Sequence, residues 1–221
     1  MKSYAQFCPV AQALEVLAER WTLLVVRELL MGSTRFGEIA RGVPLMSRTL
    51  LSQRLQTLQD CGIIGRREGD GGPEYHLTER GENLRPVIET IGVWGKRHGG
   101  GELRDDQLDP KLLMWDLQRR LHLDRLPRER TVVMFRFSGA EAGESRYWLH
   151  LTRPEADLCL RSAGFDVDLT VESDLRAFTE VWTGKRALAQ AIRARAVRLS
   201  GPAHLKRAFS SWLKLSVFAD A

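Results

Sequence analysis

The stretch spanning residues 44–77 constrains this chain most, because it joins an amphipathic helical pattern to a short basic hairpin and asks for a fold that presents both. Ser47 suits an N-cap. In "SRTLLSQRLQTLQDCGII" the residues Leu51, Leu55 and Leu58 recur at i, i+4 and i+7, one apolar stripe at helical period. Gly62 stops the helix. Its other side carries Thr49, Ser52, Gln53 and Gln56, flanked by Arg48 and Arg54, with no acid before Asp60. Groups that both donate and accept hydrogen bonds suit base edges in a major groove, and arginines suit phosphate. Taken alone, such a helix is an ordinary solvated one, so reading it as a DNA-facing element depends on its neighbours.

Those neighbours are informative. Pro9 suits the first turn of a helix with Val10, Leu14 and Leu17 on one stripe. The segment "RWTLLVVRELLM" that follows is apolar almost all round, which predicts a helix buried on more than one side. Residues 35–41 give a short helix with Phe36 and Ile39 inward, and Val43, Pro44 and Leu45 make a tight turn into the Ser47 helix, so the two form a helix-turn-helix pair. After Gly62, extended runs over 63–68 and 74–77 flank the turn-forming Gly69, Asp70, Gly71, Gly72 and Pro73, which predicts a two-stranded wing. Arg35, Arg66 and Arg67 are placed to reach phosphates beside the groove. Thr78 then caps a long helix with Leu84, Val87, Ile88, Ile91 and Trp94 at helical spacing, bent at Pro86.

On these residues the first half resembles the HxlR-type family of winged helix-turn-helix transcriptional regulators. The resemblance spans residues 5–98 and rests on Cys8-Pro9-Val10, Arg20-Trp21, Phe36-x-Glu38-Ile39, the Ser47 helix, Gly62-Ile63-Ile64 and Tyr75-x-Leu77-Thr78-x-x-Gly81, in that order. The chain departs at "GVPLMS", where members often have a plainer Gly-Ile-Ser approach. The resemblance implies a homodimer built from the terminal helices, with Val10, Leu14, Ile88, Ile91 and Trp94 at the interface. It also implies double-stranded DNA as partner, with base readout by Arg48, Thr49, Ser52, Gln53 and Gln56 behind the cap Ser47. Arg35, Arg54, Arg66 and Arg67 would hold phosphate. In some members an N-terminal cysteine beside proline is a thiol switch, which makes Cys8 a redox candidate; burial as an inert residue is the competing reading. Cys61 and Cys159 read as structural.

The glycine triplet Gly99, Gly100 and Gly101 and the acids Glu102, Asp105 and Asp106 mark a boundary. The expected organisation is a DNA-binding and dimerisation domain over 1–98, a linker over 99–108 and a second domain over 109–221. Asp109-Pro110 opens a helix. Alternating runs at 131–137, 147–151, 156–160 and 165–171 then predict an antiparallel sheet with one apolar face. Ser173 caps a helix, Gly184-Lys185 starts another, a strand falls at 197–199, and a last helix runs over 203–212. The fold class is α+β. Through "DVDLTVESDLRAFTEVWTGK" and "VRLSGPAHLKRAFSSWL" this half resembles sterol-carrier-type lipid-binding domains. That resemblance implies an apolar cavity for a small hydrophobic ligand, lined by Phe135, Leu149, Leu158, Phe178, Trp182, Phe209 and Trp212; aromatic and aliphatic residues at such spacings are more often plain core.

Composition narrows the classes. The net charge of +5 and the 33 Lys+Arg favour a polyanionic partner modestly. Three scattered cysteines without a Cys-x-x-Cys support neither a disulfide framework nor a zinc site. No run of 18 apolar residues occurs, so a cytoplasmic chain without a membrane partner is expected. The histidines lack metal-ligand spacing, and neither a Gly-x-Ser-x-Gly elbow nor a phosphate-cradling loop is present, so no catalysis and no cofactor are expected. A homodimeric regulator with an apolar-ligand domain is the leading reading. A lipid or acyl carrier with an N-terminal dimerisation module, and a regulator switched through Cys8, are the alternatives.

Overall fold

A computed structural model describes residues 3–99, 101–141, 143–161 and 164–220. The chain packs as two compact units, one up to Gly95 and one from Lys96 onward.

The first unit opens with α1 (Pro9–Leu17) and α2 (Thr22–Leu30). Trp21 takes a left-handed backbone between them (φ 80), which turns the chain sharply, and its ring lies under the Arg20 guanidinium at 5.2 Å. Val25 and Val26 of α2 are fully buried, and the unit's core collects Ile39, Leu51, Leu55 and Leu58 around them. In α3 (Phe36–Gly42) the Glu38 carboxylate accepts from the backbone N–H groups of Thr34 (2.8 Å) and Arg35 (3.0 Å), satisfying donors that the helix start leaves open. Helix α4 (Arg48–Asp60) is capped by Ser47, whose Oγ accepts from Leu50 N at 3.2 Å. Gly62, at φ +66, ends it, and the N–H of Ile63 returns to the Leu58 carbonyl at 2.9 Å.

Strands β1 (Ile64–Gly69) and β2 (Gly72–Leu77) pair antiparallel around Asp70 and Gly71. The wing is not free-standing: Tyr75 N donates to the Thr34 carbonyl at 2.7 Å, and Arg35 bridges to Glu74 as a third strand would. Thr78 caps α5 (Glu79–Glu82) and also donates its hydroxyl to the Gly62 carbonyl at 2.7 Å. Gly81 is required there, since a Cβ would stand 2.2 Å from the Ile63 carbonyl oxygen. The single helix expected after Thr78 is in fact two, because the chain leaves α5 at Asn83 and restarts as α6 (Arg85–His98). Pro86 lies in the first turn of α6, where its missing N–H costs nothing, so it starts a helix instead of bending one.

The second unit begins its regular structure with α7 (Pro110–Arg119), capped by the Asp109 carboxylate on Lys111 N and Leu112 N. The strands are β3 (Thr131–Ser138), β4 (Arg146–Thr152), β5 (Glu155–Cys159) and β6 (Leu169–Asp174); α8 (Leu175–Trp182), α9 (Leu188–Arg193), β7 (Val197–Ser200) and α10 (Ala203–Trp212) follow. The five-stranded sheet has the order β5-β4-β3-β6-β7. Here the expectation of an antiparallel sheet is corrected, because β6 lies parallel to β3 with Val133 beside Leu169 and Phe137 beside Ser173. Alternation announces a strand and its buried face; it does not announce the neighbour, which the return path of the chain decides. Asp168 fixes that join: its carboxylate accepts from Val132 N (2.8 Å) and its own N–H donates to the Val132 carbonyl (3.0 Å). β6 starts at Leu169, later than expected, and Phe165 instead sits edge-on to His150 at 5.6 Å. The α8 cap is Asp174, while Ser173 donates its hydroxyl to the Ala196 carbonyl at 2.9 Å.

Within the expected linker over 99–108, Gly100 lies outside the described residues, and others of its residues are held by side chains of the second unit. Lys185 reaches the Gly101 carbonyl, and Arg176 holds both the Leu103 carbonyl and Asp105.

Candidate nucleic-acid interface

Helix α4 turns Leu51, Leu55 and Leu58 into the core and leaves Arg48, Thr49, Ser52, Gln53 and Gln56 exposed on its other side. That division follows from the 3.6-residue period, since the apolar stripe and the polar face cannot both be solvated. Gln56 donates to the Asp60 carboxylate at 2.8 Å, which holds its amide along the helix, and the Arg48 guanidinium stands 5.9 Å over the Phe36 ring. Ser47 is spent as the cap. Leu45, in the turn before α4, is 82% exposed, an apolar side chain that the sequence reading passed over.

Glu74 organises the basic groups around this face. It is directly opposite Arg67 in the wing, whose guanidinium donates to it at 3.1 and 3.2 Å, and Arg35 approaches from the start of α3 at 3.5 Å. The Arg35 guanidinium also lies against the wing turn, where a Cβ on Gly71 would meet its Nη1 at 2.3 Å. Arg66 pairs with Glu68 at 3.2 Å. Glu74 is mostly buried, but the guanidinium groups of Arg35, Arg66 and Arg67 are exposed, so an incoming phosphate can reach them. Glu74 was missed as a positioning residue; its cross-strand partnership with Arg67 needs the hairpin register.

Arg54 is placed differently from the other arginines. Its side chain is 16% exposed, and it pairs with Glu19 at 2.7 Å while donating to the Arg20 carbonyl at 3.2 Å. Arg54, expected at phosphate, fastens α4 to the turn before α2 in this structure.

Of the residues expected at a dimer interface, Val10 (65%), Leu14 (43%), Ile91 (49%) and Trp94 (63%) are exposed, and Phe7, at 97%, joins them. Ile88 instead packs against the core of its own unit. Cys8 is half-buried at the N-cap position of α1 and makes no side-chain cap bond; Cys61 and Cys159 are also half-buried, and all three are free thiols.

In the second unit Phe135, Leu149, Phe178, Trp182, Phe209 and Trp212 are buried, and Leu158 packs on them half-buried. They pack ring on ring, with Phe135 5.7 Å from Phe178 and 6.1 Å from Phe209, and Phe209 6.0 Å from Trp212. These side chains, expected to line a ligand cavity, pack against one another between sheet and helices. Burial raises the Tyr147 phenol above its ordinary pKa, with Glu144 and Asp109 adding to the shift. Its hydroxyl is buried and lacks a hydrogen-bond partner among the described residues. No group of acids, histidines and cysteines suited to a metal occurs among the described residues, and no described helix is long and apolar enough to cross a membrane.

Helix pair, wing and exposed polar helix face define a winged helix-turn-helix unit. Residues 16–102 match the family model described as HxlR-like helix-turn-helix. An uncharacterized HTH-type transcriptional regulator of Bacillus subtilis, YvaP, is 37% identical over 94 residues, covering 41% of this chain and 87% of the relative. One of Mycobacterium tuberculosis, Rv3095, is 42% identical over 94 residues, covering 40% of this chain; the chain spans only 58% of that relative's length. Among solved structures, the reduced form of the transcriptional regulator YodB from B. subtilis is similar at 29% identity over 43% of this chain and all of that one, with a TM-score of 0.38. The chain belongs to the HxlR-like helix-turn-helix family.

Proposed function

We propose that this chain is a sequence-specific DNA-binding transcriptional regulator that acts as a homodimer. The observation that carries this reading is the exposed face of α4, free of acid up to Asp60, with Arg35 and Arg67 drawn to one carboxylate, Glu74, beside it. Arg48, Thr49, Ser52, Gln53 and Gln56 read base edges, while Arg35, Arg66 and Arg67 hold phosphate. The exposed apolar side chains of α1 and α6 support the dimer, since Val10, Leu14, Ile91 and Trp94 leave apolar surface that a second copy would cover. Two copies then engage half-sites about 34 Å apart, one turn of DNA.

The test is a mobility-shift assay on the protein's own upstream region against unrelated duplex, paired with sedimentation of native protein and a Trp94→Asp variant. A specific complex that survives added salt and a variant that sediments as a monomer fit the reading. A protein that shows no preference among duplexes ends it, and leaves the carrier alternative.

Within the same reading, residues 109–221 form a sterol-carrier-like domain that senses a small apolar ligand. A sheet with an apolar face under helices supports it, and the buried Tyr147 hydroxyl is the polar group that a ligand oxygen or nitrogen would meet. Since the aromatic core is filled, such a ligand must open it on entry. It controls DNA binding only if it prefers one of the two states. Apolar ligands that leave both melting temperature and DNA affinity unchanged would remove this part and spare the first.

A further inference from the structure

Positive charge is unevenly spread along this chain. Residues 181–219 contain no Asp or Glu, yet eight Lys and Arg lie between Lys185 and Lys214. The whole chain has a net charge of +5, so everything outside that stretch has an excess of acid.

Folding sets part of that stretch beside further arginines on the second unit's sheet. Arg198 alternates with buried Val197 on β7, Glu172 with buried Val171 and Ser173 on β6, and Arg136 with buried Phe135 and Phe137 on β3, so the charged residues share the face turned from the core. The register puts Arg146 opposite Arg136, Arg136 beside Glu172, and Glu172 opposite Arg198. Across four strands the row reads Arg146, Arg136, Glu172, Arg198. Glu172 serves both Arg136 and Arg198, the latter at 3.6 Å. Arg146 is exposed, has no ion pair among the described residues, and faces a like charge directly across the strands, an arrangement that repels unless an anion joins it. Arg195, exposed at a left-handed backbone position (φ 58), shares with Arg136, Glu172, Asp174 and Arg198 an open cleft of about 390 Å³. Asp174, whose Oδ1 accepts from the N–H groups of Arg176 and Ala177, and Glu172 set two carboxylates against the three arginines of that cleft, which keeps a net positive charge.

We propose that this arginine row is a second DNA-binding surface, which takes the phosphate backbone of duplex DNA without regard to sequence. Planar guanidinium forks on a rigid sheet match phosphate oxygens, and the single shared carboxylate leaves the row a net positive charge. The occupant is duplex DNA because the first unit, on the reading above, tethers duplex to the same chain; contacts too weak to form alone then form intramolecularly. The proposal rests on that reading.

The experiment uses the full chain and measures log K against log salt on the protein's upstream region and on unrelated duplex of equal length. The compared variants are Arg146→Ser/Arg195→Asn/Arg198→Ser and, at the same positions, three Arg→Lys changes, all checked for unchanged melting. Arg136 is kept so that Glu172 retains a partner. The neutral triple variant should flatten the slope by about 2–3 units per bound copy and weaken both duplexes alike, while the lysine variant keeps the native slope. A neutral variant with the native slope overturns the proposal and leaves the first unit's role intact. Loss of binding to anionic phospholipid vesicles with unchanged DNA binding also overturns it, in favour of a membrane surface. If the native protein binds no duplex, the reading of the first unit fails, and this one with it.

Discussion

The Glu28 carboxylate of α2 lies flat against the Cα of Gly42 at the end of α3, so close that a Cβ on Gly42 would stand 1.9 Å from the Glu28 Cδ. Arg27 completes the contact, donating from one nitrogen to Glu28 Oε1 at 2.7 Å and to the Gly42 carbonyl at 3.0 Å. A fully buried acid is thereby committed to holding the first helix of the helix-turn-helix pair. Gly42→Ala should lower the unfolding free energy by about 1–3 kcal/mol, because the methyl would overlap a carboxylate that is fully buried. Glu28→Ala should also destabilise, yet the double variant should lose less than the two losses combined, since removing the carboxylate makes room for the methyl. Urea denaturation of all three variants checks this; strict additivity would show that the two residues do not meet.

Arg54 and Arg67 should separate cleanly. With its head group turned inward, Arg54→Ala should reduce stability by about 1–2 kcal/mol through the lost bonds to Glu19 and the Arg20 carbonyl. Arg67→Ala should leave melting almost unchanged and reduce the salt slope of DNA binding by about 1 unit. Thermal melts and salt titrations on the same two proteins decide between these roles, and a slope change in Arg54→Ala at unchanged melting would return Arg54 to the DNA face.

Gln53 faces outward from α4 with its side chain exposed. Gln53→Ala should relax base preference by about 1–3 kcal/mol at one position of the operator and leave affinity for unrelated duplex nearly as before. Binding measured across a set of single-base operator variants is the check. Equal weakening on every duplex would mean that α4 is not the reading helix.

Tyr147 makes the second unit sensitive to alkali. Its folded pKa is raised, so the native state keeps the phenol protonated where the unfolded chain, near pH 10, begins to lose the proton. Its contribution is fully present below about pH 10 and is lost as pH rises further toward the folded value. Tyr147→Phe should remove that loss. It should also match or exceed native stability at pH 7, by about 1 kcal/mol, because it deletes a buried hydroxyl that has no partner among the described residues. Denaturation curves at pH 7 and pH 10.5 compare the two proteins (the higher value chosen just above the ordinary phenol range).

Several features were legible because their causes are local. The stripe of Leu51, Leu55 and Leu58, the Ser47 cap and the Gly62 stop lie within one helix length, and the helix formed where they placed it. The alternation of Val133, Phe135 and Phe137 named a strand and its buried face. The contact of Arg54 with Glu19 was not legible, since the two lie 35 residues apart and a helical wheel cannot distinguish an arginine aimed at solvent from one aimed at a preceding turn. Ile88 shares a helical face with Ile91, yet Ile88 packs partly buried against its own unit's core while Ile91 is exposed.

By itself the sequence determined most of the helices and strands and the apolar side of each, because those properties follow from hydrogen bonding and burial over a few residues, though not the break between α5 and α6 or the start of β6. It also carried the charge asymmetry between the final stretch and the rest of the chain. Only the tertiary structure decided that β6 runs parallel beside β3, that Glu74 gathers Arg35 and Arg67, and that Arg146 faces Arg136 across the sheet. Pairings of this kind join residues far apart in the chain, and their energies depend on register and approach, quantities that exist only once the chain has closed on itself.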